Sequence, residues 1–203
     1  MPRVTEEHLE RRRRQILDAA RACFIRKGVH DTSMQDIFAE AGLSAGAVYR
    51  YFRSKNEIIE ANMATVIGDM QSFFAEVAHG DPLLPLDEVI ERLATKIVDM
   101  SGDDGPLRLA PEAWALAMHE PEIAAYVAAN VTGLRETWTS YTRRLVEAGL
   151  LPAETDVAAA GKTLFALIPG FLVQRLFLGE FSPAELRRGV RALCRQSLLT
   201  GAA

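Results

Sequence analysis

Residues 44–57 read Ser-Ala-Gly-Ala-Val-Tyr-Arg-Tyr-Phe-Arg-Ser-Lys-Asn-Glu. A helix opening at Ser44 carries small residues first, then Tyr49 and Arg50; a tight turn follows, and Ser54 starts another helix. Small residues let a helix press against a second surface, while tyrosine and arginine reach phosphates and base edges. Just upstream, Ala41-Gly42-Leu43-Ser44 supplies the turn such a helix needs. Gly42 tolerates a positive φ, and the Ser44 hydroxyl can cap the helix that follows. Before the turn, Met34, Ile37, Phe38 and Ala41 form an apolar stripe at helical spacing, and Thr32 with Gln35 has the pattern of a capping box. Helix, glycine turn, helix is the helix-turn-helix arrangement.

Working outward, a first helix is expected from about Glu6 to Lys27, with Ile16, Ala20, Cys23 and Phe24 on one face and Gly28 as its stop. A fourth helix starts at Ser54, where Glu57 completes a second capping box. Its apolar band, Met63, Val66, Ile67, Met70, Phe73, Phe74 and Val77, is broad enough for burial on more than one side, as suits a connector. After His79-Gly80-Asp81-Pro82 come further helices divided by Gly/Pro loops. One carries Leu86, Val89, Ile90, Leu93, Ile97 and Met100; a short one carries Trp114 and Met118; a long one runs roughly from Pro121 to Ala148. Residues 156–178 read as a helix that is apolar nearly all round from Leu164, with Pro169-Gly170 predicted to kink it. Ser182-Pro183-Ala184-Glu185 opens the last helix with a cap, a first-turn proline and a capping-box acid. No long strand-like alternation interrupts this pattern. The expected fold is all-α: a three-helix head at 1–55 and a helical body at 56–203.

Charge is divided along the chain. The 203 residues carry a formal net charge of −4, yet residues 1–60 hold 11 Lys/Arg against 9 Asp/Glu and the remainder 12 against 18. A mildly basic head on an acidic body suits contact with DNA at one end. Cys23 and Cys194 stand far apart with no metal-ligand spacing, and read as reduced thiols. The charged N-terminal thirty residues do not have the form of a signal peptide. The longest uncharged stretches, such as Thr163 to Gln174, fall short of the ~18–20 residues that span a bilayer. A cytoplasmic protein is expected. The motifs of zinc proteases, serine hydrolases, P-loops and dinucleotide-binding folds do not occur. His119-Glu120-Pro121-Glu122 has metal-binding residue types, but the proline spoils their geometry. No enzyme, metal or cofactor is expected, and an all-helical enzyme or interaction module is the rival reading.

The first 60 residues resemble the tetracycline-repressor (TetR) family of bacterial regulators. The resemblance rests on Gln15-Ile16-Leu17-Asp18-Ala19-Ala20, Cys23-Phe24-Ile25-Arg26-Lys27-Gly28, Thr32-Ser33-Met34-Gln35-Asp36-Ile37 and the continuous run from Ala41 to Phe52, closing with Ser54-Lys55-Asn56-Glu57. It implies a homodimer that binds operator DNA, and a body that dimerises and holds a small effector. The implied function is a repressor released by a small apolar or amphipathic molecule as helix four shifts; a ligand-independent regulator or an activator is the alternative. By analogy, Thr32, Ser33, Tyr49 and Lys55 would contact phosphates, while Ser44, Ala45, Ala47 and Arg50 would face the groove. Many members carry Lys or Arg where this chain has Ala45, so base readout would rest more on Arg50 and on DNA shape.

Each of these residues also has a plainer reading. Arg50 can be a surface arginine and Tyr49 a packing residue. Lys55 opposes the dipole of its own helix start, which hints at an external phosphate. Arg11 to Arg14 fit either a minor-groove arm or a solvated helix start. In the body, Trp114, Met118, Trp138, Phe165 and Phe171 are candidate cavity walls, and Asn130 and Gln174 candidate polar contacts, with a core role as the default reading of each. The last two helices are the expected dimer interface, with Leu186, Val190, Leu193 and Cys194 on one face and Arg187, Arg188, Arg191 and Arg195 solvated on the other.

Overall fold

Residues 6–197 are described by the computed structural model, with side chains described as far as Cys194; Arg195 therefore lies outside the described side chains. The described elements are α1 (Glu6–Lys27), α2 (Met34–Ala41), α3 (Ala45–Tyr49), α4 (Lys55–His79), α5 (Leu86–Met100), a 3₁₀ turn (Pro106–Leu109), α6 (Ala110–Ala117), α7 (Pro121–Glu147), α8 (Val157–Leu178) and α9 (Pro183–Ser197). The chain packs as two units. One comprises residues up to Ile67 with Pro106–Val127; the other comprises Gly68–Gly105 with the residues from Ala128 onward. Packing thus divides the chain elsewhere than at residue 55: the head retains the first half of α4 and recruits α6 and the start of α7.

The first unit buries Ile16, Leu17, Ala20 and Phe24 of α1 against Ile37, Val48, Phe52, Ile58, Ile59 and Ile123. This is the apolar face read from the sequence, completed by residues from α3, α4 and α7. The Gly42 turn has the expected left-handed backbone (φ 63°), and Leu43 N–H donates to Phe38 O at 3.1 Å. The cap of α2 differs from expectation by one residue. Ser33, not Thr32, is the N-cap, and its box partner is Asp36 rather than Gln35. The reason is local: the Thr32 hydroxyl turns inward and donates to Gly28 O at 2.7 Å. At α4, Ser54 accepts the Glu57 N–H, but the Glu57 carboxylate reaches Arg53 N–H at 2.7 Å, one residue before the cap.

The second unit is organised around Trp138, whose ring lies 4.4 Å from that of Phe74 and 6.0 Å from that of Tyr141. The Tyr141 hydroxyl donates to Leu84 O at 2.7 Å, and Arg144 donates to Ala78 O and Gly80 O, so α7 fixes the loop that joins α4 to α5. A Cβ at Gly161 would stand 2.6 Å from Thr139 Oγ1 and 3.0 Å from its backbone, so only glycine permits this approach of α8 to α7. Pro169 lies inside α8 without ending it.

Three expectations for the last helices change. Leu186 and Val190 are buried within the chain, where α9 packs on α5, and so are not available to a partner. Arg187 and Arg191 are not simply solvated: both bind Asp87, and Arg187 also binds Glu91, because α5 presents its acids to that face. Finally, α8 is long and apolar enough to cross a membrane by length and composition. Lys162 and Arg175 break the run in sequence but sit towards its ends. Its Gly161, Leu164, Phe171 and Leu172 are buried inside the second unit.

Candidate nucleic-acid interface

The exposed side chains of α3 come from a five-residue helix held on three sides. Ser44 caps it, accepting the Ala47 N–H at 3.3 Å. Val48 is fully buried and anchors it to the head core. The Tyr49 ring meets Phe38 of α2 edge to face at 5.5 Å. Tyr49 is nevertheless half exposed, so packing and an outward hydroxyl coexist. Ser44, Ala45 and Gly46 are exposed, Ala47 is half-buried, and Arg50 is the exposed C-cap residue. Among the described residues no carboxylate or carbonyl holds the Arg50 guanidinium, so its fork of N–H donors faces solvent.

The start of α2 is built differently from the expectation of two free hydroxyls. The Thr32 side chain is buried. Ser33 is exposed, but its Oγ accepts the Asp36 N–H and donates to Asp36 Oδ2 at 2.7 Å. Asp36 places a negative charge at this helix start, and Lys27 Nζ balances it at 2.5 Å. The hydrogen bond from Lys27, followed by those from Ser33, holds the Asp36 carboxyl well below its ordinary value of 3.8. A depressed folded value means stabilisation that is complete above the unfolded value and lost as pH falls through the folded one. Asp36→Asn is therefore expected to lower the melting temperature at pH 7, with the gap to the native chain closing as pH drops below about 4. Thermal melts followed by circular dichroism across that range check this; a gap independent of pH would assign the effect to helix capping geometry alone.

Lys55 has a role that its position in sequence did not reveal. Its ammonium donates to Val29 O at 2.9 Å, His30 O at 3.2 Å and Thr32 O at 2.9 Å. The three donors of the group thus meet three carbonyls of the loop between α1 and α2. From α6, the Glu112 carboxylate accepts the Val29 N–H at 2.5 Å, beside Gly28 with its φ of 85°. The loop that orients α2 is gripped by α4 and by α6. Nothing in the sequence marks Glu112, which lies 83 residues from Val29. A third tie, Gln15 Nε2 to Ala41 O at 2.8 Å, holds the end of α2 to α1. Arg13 lies over the Phe52 ring at 5.4 Å, and Arg12 donates to Gln15, so part of the arginine run is structural.

The candidate effector residues are divided between the two units. Trp114 and Met118 belong to the first unit and are exposed, Met118 at 81%. Asn130, Trp138, Phe165, Phe171 and Gln174 belong to the second. Trp138 and Phe171 are fully buried core, the latter packed on Phe181 at 5.1 Å; Gln174 is exposed, and Asn130 accepts a hydrogen bond from Gln71 at 3.3 Å.

A capped helix displayed beyond a glycine turn, with small residues, a tyrosine and an unpaired arginine outward, defines a helix-turn-helix DNA-binding protein. The chain belongs to the tetR family of bacterial regulatory proteins: residues 16–61 match that family's model, and residues 87–199 match the model for the C-terminal part of BetI-type transcriptional repressors. It is a transcriptional regulator. It is 28% identical over 208 residues to the regulator BetI of Cronobacter sakazakii, covering 100% of this chain and 97% of that protein. Its fold is that of a transcriptional regulator from Pseudomonas aeruginosa PAO1 (TM-score 0.77, 21% identity, 96% and 93% of the two chains). It is also that of a regulator from Saccharomonospora viridis solved in complex with choline (TM-score 0.73, 21% identity, 92% and 96%).

Proposed function

We propose that this chain is a cytoplasmic, homodimeric repressor that binds a partly palindromic operator and is released by a small molecule held in its body. The observation that carries the DNA contact is the α3 surface: Ser44, Ala45, Tyr49 and Arg50 are exposed, Ala47 is half-buried, and among the described residues the Arg50 guanidinium has no protein partner. Arg50 reads a base edge in the major groove, most naturally the O6/N7 pair of a guanine, and Tyr49 contacts phosphate. The side-chain donors of Ser33 and Lys55 already have intramolecular partners. Dimerisation through the last two helices is supported by an apolar surface that one chain leaves open: Phe177 is 72% exposed, and Leu178, Val173 and Leu193 are exposed as well. Covering such surface is the ordinary driving force for association.

Release follows from linkage. The effector shifts the balance only through different affinities for the DNA-competent and incompetent states. The Glu112–Val29 hydrogen bond gives α6 a direct hold on the loop that orients α2, so a shift of α6 within the head would move that loop without passing through α3. Repression is supported by the BetI-type repressor model that residues 87–199 match.

The test is selection of operator fragments from genomic DNA by the purified chain, followed by fluorescence anisotropy with the native protein and Arg50→Ala. The variant is expected to bind its operator about 1–3 kcal/mol more weakly while keeping its non-specific affinity. Equal loss on specific and random duplexes would make Arg50 a phosphate contact only, and an unchanged operator affinity would remove it from the interface.

A further inference from the structure

The second unit contains an arginine whose Nε is buried and has no acceptor among the described residues. Arg135 lies on α7, three residues before Trp138 and seven before Thr142. Those spacings place all three on adjoining parts of one helix face, and Trp138 and Thr142 are fully buried. Arg135 Nε is itself shielded from solvent and has no hydrogen-bond acceptor. Among the described residues no Asp or Glu pairs with its guanidinium. Three other arginines of this unit do have partners: Arg144 has two carbonyls, Arg187 has two carboxylates and Arg191 shares Asp87.

Such a group is costly to keep. A guanidinium cannot relieve its burial by losing a proton, and an N–H hidden from water without an acceptor is destabilising. Replacing unpaired buried charge with an apolar side chain of similar length often stabilises a protein. Arg135 as a whole is half-buried, so its outer nitrogens remain reachable. The arrangement is that of a cation awaiting an anion.

We propose that Arg135 is the anchor of the effector site and that the effector carries a carboxylate. This rests on the ligand-responsive reading above and specifies the chemistry of that ligand. A planar fork of N–H donors matches a carboxylate in bidentate geometry. The face of α7 that carries Arg135 also carries the buried Trp138, so an apolar tail or ring is the fitting remainder of such a molecule. A quaternary ammonium fits the neighbourhood of Trp138 less well. Such ligands need open aromatic faces, and the Trp138 ring meets Phe74 and Tyr141.

The test compares the full-length native chain with Arg135→Met and Arg135→Gln, using decanoate and benzoate as anionic probes and choline and decyltrimethylammonium as cationic ones. Thermal melts, calorimetric binding and operator release are read for each. Without ligand, Arg135→Met is expected to melt at or above the native temperature. At least one carboxylate is expected to raise the native melting temperature and weaken operator binding, with affinity reduced about 10- to 100-fold in Arg135→Gln. Stabilisation by a cationic probe alone would overturn the anionic assignment and leave ligand control standing. A lowered melting temperature in ligand-free Arg135→Met, with carboxylate binding intact, would make the residue structural. If no probe of either charge alters melting or operator release, the ligand-responsive reading falls together with the anchor.

Discussion

Lys55→Met is expected to loosen the DNA-binding head and abolish operator binding, with a stability loss of about 2–4 kcal/mol. Methionine keeps the apolar stem but removes all three N–H donors, leaving the carbonyls of Val29, His30 and Thr32 without their common partner. Hydrogen bonds to a charged group contribute about 1.5–3 kcal/mol each, and water reaches a half-exposed site, so the sum falls well below three full bonds. The melting temperature is expected to drop by roughly 5–15 °C. If Lys55 instead served only a DNA phosphate, melting would be unchanged and the salt dependence of binding would fall by about one counterion. Thermal melts and a salt titration of operator affinity, done on the same variant, separate the two roles. Glu112→Gln in the same assays isolates the grip from α6, since an amide still accepts the Val29 N–H without the charge.

Trp138→Ala is expected to destabilise the second unit by about 3–5 kcal/mol, measured by denaturant unfolding. The indole is 1% exposed and lies between Phe74 and Tyr141. Its removal leaves a cavity that neighbouring helices cannot close fully, because Arg144 and the Tyr141 hydroxyl fix the adjoining loop. Trp138→Phe retains much of the packing and is expected to cost less than half as much. A loss under about 1 kcal/mol for alanine, together with altered effector affinity, would instead make Trp138 a wall of the ligand cavity.

How much of the interface could be read in advance varies residue by residue, and locality explains the difference. Gly42, Ser44 and Ser182 act through neighbours one to four positions away, so their turns and caps are legible. Thr32 and Ser33 show the limit of local reading. Both can cap, and the choice falls to Ser33 because the Gly28 carbonyl, presented by the end of α1, takes the Thr32 hydroxyl. Lys55 looked like a phosphate ligand because its charge opposes the dipole of its helix; that opposition is answered by loop carbonyls 23 to 26 residues away. Leu186 and Val190 looked available to a partner because periodicity shows which residues share a face but not what covers it; α5 does. Arg187 and Arg191 were misplaced for the same reason, since Asp87 and Glu91 are about a hundred residues distant.

The chain's own order of residues determined that it is all helix, that a glycine turn sets a short capped helix behind another, and that Tyr49 and Arg50 stand on that helix. These follow from spacing, capping and backbone freedom, which act over a few residues. Only the tertiary structure decided that the α1–α2 loop is held by Lys55 and Glu112, that Trp138 is core, and that Arg135 Nε is buried without an acceptor among the described residues. Those outcomes depend on which distant groups meet once the helices pack, and an inward charge is recognised only when its surroundings are in place.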